Sequence, residues 1–259
     1  MEIVIVPAER IGDLAAGAVV ALLARKPDAV LGLATGSSPL STYAALAERH
    51  RRGEVSFARA RGFLLDEYVG LAAGHPERYR EVVRRELEDS VDFAADAVQG
   101  PDGLATDVPA ACADYEARIA AEGGVDLQLL GIGTDGHIGF NEPGSSLASR
   151  TRIKTLTPQT RADNARFFAS PDEVPHHVLT QGLGTIREAR HLVLVATGAA
   201  KAEAVHAMAE GPVSAFCPAS VLQLHPHATV LVDEAAAGRL VLADYYRHTY
   251  AGKPEWQGL

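Results

Sequence analysis

The chain is poor in cysteine, tryptophan and methionine: its 259 residues include two cysteines, one tryptophan and two methionines. Cys112 and Cys217 match no Cys/His zinc spacing and read as buried free thiols of a reducing compartment rather than a disulfide. No apolar run approaches the ~20 residues that span a bilayer, so no membrane partner is expected. No basic run interrupts a net charge of -9, which argues against a nucleic-acid partner without a concentrated basic face. The first residues run straight into a strand pattern with no basic start and long apolar stretch. No signal peptide is therefore expected, and the chain reads as cytoplasmic. Internal repeats and low-complexity linkers are missing too. What remains is ordinary globular composition, 47% hydrophobic and 22% charged, with length for one large α/β domain or two small ones.

Short apolar runs alternate with helical patterns. Residues 2–6, 30–33, 62–65, 125–130, 191–196 and 228–232 read as strands; residues 8–25, 40–49, 76–87, 110–122 and 199–209 read as helices. The alternation predicts an open, mostly parallel, doubly wound α/β sheet with helices on both faces, a Rossmann-like architecture. Residues 91–109 read as irregular, and residues 145–170 give no clear helix signal. The tail, with Tyr245, Tyr246, Tyr250 and Trp256, is expected to pack on the surface or on a neighbour.

The densest chemistry lies just beyond the fourth of these strands. Gly131, Gly133, Gly136 and Gly139 disfavour a helix there, and the loop delivers Asp135, His137 and Glu142 within eight positions. Three readings compete. One is a solvated glycine turn. Another is a dinucleotide fingerprint on Gly131, Gly133 and Gly136, which lacks a clean helix after the third glycine. The third is an acid/base cluster, a histidine flanked by carboxylates.

Three other strand ends are polar. Thr35-Gly36-Ser37-Ser38-Pro39 precedes a helix and can receive an anion or simply cap; the Walker A ending is absent. Asp66-Glu67 follow a buried strand and either face a cleft or cap the next helix. Lys201 sits in the first turn of a helix, where the dipole disfavours a cation. A bound phosphate would explain it, as would a salt bridge to Glu203. Arg150, Arg152, Lys154, Arg161 and Arg166 form the most basic stretch, a solvated face or an anion site. Ligands in such sheets bind at strand carboxyl ends. One site built from all four clusters predicts an enzyme acting on a small phosphorylated metabolite, with no metal or cofactor required by any motif.

Several motifs together resemble the glucosamine-6-phosphate deaminase family: Leu33 to Pro39, Asp66-Glu67-Tyr68-Val69-Gly70, Gly133 to Pro143, and Ser145 to Arg152. The likeness extends to Leu222-Gln223-Leu224-His225-Pro226. The related 6-phosphogluconolactonases share Gly-Asp-Gly-His, whereas Phe140-Asn141-Glu142-Pro143 is the deaminase ending. The resemblance implies a single domain over 1–259 with a lid at about 156–182. It implies conversion of glucosamine 6-phosphate and water to fructose 6-phosphate and ammonia; a lactone hydrolase and a non-catalytic sugar-phosphate sensor are the alternatives. By the same resemblance His137 opens the ring, Asp135 and Glu142 poise it, and Asp66 is the base. Thr35, Gly36, Ser37, Ser38, Arg166 and Lys201 would hold the phosphate. Some relatives are hexamers activated by N-acetylglucosamine 6-phosphate, and Ser145, Arg152, Lys154, Thr155 and Tyr245 match that second site. Ser37 and Gly139 depart from the commoner Gly and Ala, and Pro254-Glu255-Trp256 departs from the activated tail.

Overall fold

The computed structural model spans Met1–Leu259 and describes every residue except Asp163 and Glu255. In chain order the strands are β1 (Glu2–Ile5), β2 (Val30–Leu33), β3 (Arg61–Leu64), β4 (Asp66–Tyr68), β5 (Val98–Gln99), β6 (Leu127–Leu130), β7 (Arg152–Thr155), β8 (His177–Thr180), β9 (His191–Ala196) and β10 (Ala228–Val232). The helices are α1 (Ala8–Arg25), α2 (Leu40–Arg51), α3 (Tyr79–Glu86), α4 (Val108–Ala121), α5 (Pro158–Asn164), α6 (Leu183–Arg187), α7 (Ala202–Ala209) and α8 (Ala243–Ala251). Seven strands form one sheet in the order β1-β10-β9-β6-β2-β3-β5. Every pairing in it is parallel.

The continuous apolar strands are explained by burial on both faces. In β9, Leu192 and Leu194 join a core with Val205 and Met208 of α7. The alternate residues Val193 and Val195 join a second core with Ile11, Ala15 and Val19 of α1. In β10, Val230 and Val232 split from Leu231 in the same way. Each such side chain contributes about 1.5–3 kcal/mol by leaving water. The sheet is thus held from both sides, and its strand ends become a rigid platform.

The chain winds outward from β2 to β3 and β5 in one direction, and from β6 to β9 and β10 in the other. Between the adjacent β2 and β6 the connections diverge and open a crevice at the carboxyl ends of the strands.

A second sheet, β4-β8-β7, is antiparallel and has no counterpart in the sequence reading. Its signal is inverted: along β7, Ile153 is exposed while Arg152 and Lys154 are half-buried. The alternation is there, with the wrong residue types on each face. The irregular reading of residues 91–109 missed β5, two residues long and paired with β3. The tail forms α8, which packs along β1. At Leu65 the chain passes from the large sheet to the small one. Its N–H donates to Leu33 O of β2, and its carbonyl accepts from Gln181 N just past β8. No described helix is long and apolar enough to cross a membrane.

Candidate active site

A cavity of about 700 Å³ opens at the crevice. Thr35, Gly36, Ser37 and Ser38, leaving β2, line one part of it. The cap position of α2 is Pro39, and no side chain caps the helix. The capping reading of those hydroxyls therefore fails, and they face the cavity instead. The loop leaving β6 approaches so closely that a Cβ on Gly131 would lie 2.7 Å from Ser38 Oγ. Glycine is required there by the contact between the two loops.

The β6 loop then returns on itself. His137 O accepts from Gly133 N at 2.9 Å, and Asn141 Nδ2 donates to Ile138 O and Gln181 O at 2.9 and 2.8 Å. This fixes the side chains between. His137 Nδ1 lies 2.7 Å from Asp135 Oδ1 and 3.6 Å from Glu142 Oε2. Asp135 Oδ1 also accepts the His137 backbone N–H at 3.1 Å. Glu142 is 5% exposed, and its Oε1 accepts from Thr160 Oγ1 at 2.6 Å. Burial pushes the His137 imidazolium toward neutrality. The carboxylates of Asp135 and Glu142 outweigh it and raise the pKa to about 9. Burial disfavours the Asp135 anion, but contacts with His137 and Glu142 overcome this and hold its carboxyl well below the usual range. At neutral pH the trio is a protonated histidine held by carboxylates, a proton donor that can recover its proton.

Asp66 and Glu67 divide the two readings between them. Adjacent residues of β4 point to opposite sides. Glu67 accepts from the backbone N–H of Tyr68, Tyr79 and Arg80 at 2.8, 2.9 and 3.1 Å, tethering the start of α3. Asp66 lines the cavity. Burial, reinforced by the Glu67 charge and opposed by His137, raises its pKa to about 8. A carboxyl so poised accepts a proton far more readily than one in water.

Cations line the same cavity. Lys201 lines the cavity from the turn before α7, while Glu203 pairs with Arg239 at 3.9 Å. Arg166 lines it from beyond α5, its guanidinium 4.7 Å from the Phe167 ring centre. The rest of the basic stretch does other things. Arg150 pairs with Glu116 and Glu188, each at 2.6 Å, and Arg161 donates to the carbonyls of Pro171 and Val174.

Ser145, Arg152, Lys154 and Thr155 do not line this cavity. Ser145 is buried, its N–H on Glu142 O, and its hydroxyl has no hydrogen-bond partner among the described residues. Tyr245 is exposed and lines a different cleft with Met1, His248 and Lys253. Sequence reasoning did not find Thr160, Asn164 or the aromatic wall of Tyr79, Phe140, Phe167 and Phe168. An expectation of strands on either side of α5 would have drawn attention to them.

Asp135, His137 and Glu142 each offer one atom within 4.8 Å of the others, so the trio could ligate a metal. The same three atoms are accounted for by a shared proton, and the acid/base reading needs nothing more.

A doubly wound sheet whose crevice joins a proton-carrying histidine, a base-like carboxyl, a loop of hydroxyls and two cations in one cavity defines an acid–base enzyme of the α/β class. Comparison narrows that class. The chain belongs to the family of glucosamine-6-phosphate isomerases and 6-phosphogluconolactonases, matched over residues 7–232. It is 69% identical, over all of both chains, to proteins named glucosamine-6-phosphate deaminase from Pseudarthrobacter chlorophenolicus and Mycolicibacterium smegmatis. A solved monomeric glucosamine-6-phosphate deaminase superposes with a TM-score of 0.90 at 42% identity, covering 92% of this chain and 100% of that one. A 6-phosphogluconolactonase from Trypanosoma cruzi shares the fold, with a TM-score of 0.74 at 22% identity over 93% and 97% of the two chains.

Proposed function

We propose that this enzyme converts glucosamine 6-phosphate and water to fructose 6-phosphate and ammonia, a cytoplasmic step of amino-sugar breakdown. One observation carries the reading: Asp66 and His137 open into the same cavity as Ser37, Ser38, Arg166 and Lys201. The near-identical length and 69% identity of the deaminases above favour it over lactone hydrolysis.

The shared cavity supports the following steps. The phosphate sits against Thr35 to Ser38 and is gripped by Arg166 and Lys201, Arg as a fork and Lys as a point charge. His137 delivers a proton to the ring oxygen and takes one from the anomeric hydroxyl, opening the pyranose. Asp135 and Glu142 stabilise the imidazolium through that exchange, as a buried carboxylate does in a hydrolase triad. Asp66 removes the proton from carbon 2 and returns it to carbon 1 through an enolamine. Water then adds to the carbon 2 iminium and ammonia leaves. Residues 156–182 act as a lid that excludes water during these steps. Ser145, Arg152, Lys154 and Thr155 form a second anion site, to which N-acetylglucosamine 6-phosphate binds when chains associate, with Tyr245 contributed across the interface. The half-buried Arg152 supports this: among the described residues it has no carboxylate partner.

Ammonia release from glucosamine 6-phosphate by the purified protein tests the reading. Stoichiometric ammonia and fructose 6-phosphate are expected. Hydrolysis of 6-phosphogluconolactone without ammonia release would replace it. A rate curve unaltered by N-acetylglucosamine 6-phosphate would remove the second site.

A further inference from the structure

We propose that Thr160 is a positioning residue that ties the placement of the 156–182 segment to the Glu142 carboxylate and, through it, to His137. The inference rests on His137 being the acid–base group of the reaction proposed above.

Thr160 is 8% exposed and lies in α5, away from the β6 loop in sequence. A threonine hydroxyl has one proton to give. Here it goes to Glu142 Oε1 at 2.6 Å. Thr157 Oγ1 lies 2.8 Å from Thr160 Oγ1, and it accepts the Thr160 N–H at 3.1 Å as the cap of α5. With the Thr160 proton committed to the carboxylate, Thr157 donates between the two hydroxyls. The order is Thr157, Thr160, Glu142, His137.

Donation to Oε1 fixes the plane of the Glu142 carboxylate and leaves Oε2 toward His137 Nδ1, 3.6 Å away. Oε2 and Nδ1 are both buried, and among the described residues neither makes a well-aligned hydrogen bond, although Asp135 Oδ1 lies 2.7 Å from Nδ1. Thr160 therefore supplies the aligned donor that sets the angle of this carboxylate, with His137 and Asp135 close on its other side. The same short element reaches the other half of the site. Asn164 Nδ2 donates to Tyr68 OH at 2.9 Å, two residues along β4 from Asp66, and Arg166 follows on the cavity wall. An anion drawn to Arg166 thus acts on the segment whose hydroxyl orients the acid–base trio.

The groups facing His137 are Asp135 and Glu142 of its own loop and Asp66 of β4. The Cys217 thiol packs behind Gly136. Of these, Glu142 is the one held by the 156–182 segment. Without the Thr160 donor the Glu142 carboxylate is free to turn, and Oε2 then moves away from His137 Nδ1.

Thr160→Val, which keeps the shape and removes the hydroxyl, is compared with Thr160→Ser. Histidine-ring 15N NMR of the ligand-free enzyme, assigned with His137→Asn, reads the His137 titration without any substrate. Ammonia release from glucosamine 6-phosphate across pH reads turnover. Thr160→Val is expected to lower the His137 midpoint by about one unit and kcat roughly tenfold, with KM within about twofold. Thr160→Ser is expected to restore both. An unchanged or raised midpoint in Thr160→Val overturns the proposal. So does a serine variant as impaired as the valine one, which would make the role one of packing. If the wild-type enzyme releases no ammonia, the functional reading fails, while the NMR titration still decides the role of Thr160.

Discussion

Replacing Asp66 by Asn should stabilise the protein while removing its activity. Burial raises the Asp66 pKa from 3.8 to about 8 in the folded chain, with the Glu67 charge adding to it. A carboxyl whose proton affinity rises on folding favours the native state below its unfolded pKa. That contribution is lost as pH climbs toward the folded value. At about 1.4 kcal/mol per pH unit, the wild-type chain forfeits about 2 kcal/mol by pH 5, about 4 by pH 7 and close to 6 above pH 8. Asparagine has nearly the same shape and no titration. The stability gap between variant and wild type should therefore open with pH at that slope. At pH 7 it corresponds to about 10 °C in Tm for a chain of this size. Urea melts of both proteins at half-unit intervals from pH 4.5 to 9 would show it; groups common to both cancel in the difference. Ammonia release should fall by at least two orders of magnitude, the usual worth of a positioned base. A gap that does not change with pH would refute the claim that the surroundings of Asp66 raise its pKa. Substantial residual turnover would refute its role as base.

Other consequences can be checked alongside. A Cβ on Gly133 would lie 2.3 Å from His137 Cε1, so Gly133→Ala should displace the imidazole and cut kcat at least tenfold; circular dichroism should show the fold retained. Arg166→Ala should raise the KM for glucosamine 6-phosphate by about 10- to 100-fold with kcat little changed, as loss of a charge-assisted phosphate contact would. His191 is stacked on His227 with ring centres 3.6 Å apart, and burial, joined by the nearby His227 and His225, pushes its pKa down to about 3. Its depressed value means that stability present above about pH 6.5 is lost as pH falls toward 3. His191→Gln should therefore flatten the acid side of the pH–Tm curve.

The large sheet could be read from the sequence because its strands are buried on both faces. Runs such as His191–Ala196 and Ala228–Val232 are apolar at nearly every position, and few other structures produce that. The small sheet could not. In Arg152–Thr155 the apolar Ile153 faces outward, and in Asp66–Tyr68 three polar or amphipathic residues are all buried. The β6 loop announced its three titratable residues by crowding them together. The residue pattern left Asp66 and Glu67 undivided because β4 was not foreseen and strand parity could not be applied; only the resemblance singled out Asp66. Arg166 and Thr160 carried no signal of their own. Their place is set by an excursion of the chain between two strands that local pattern did not reveal.

That excursion begins and ends on a single rung. Thr155 pairs with His177, and Leu156 N donates to His176 O at 2.9 Å. The ladder of β7 and β8 closes beneath it like the two contacts of a socket. Residues 156–176 can thus be lengthened, trimmed or exchanged with no shift of register in either strand. Sequence drift in this stretch around Thr160, Asn164 and Arg166 would retune which sugar is enclosed and how tightly, while the strands at the crevice floor keep their places.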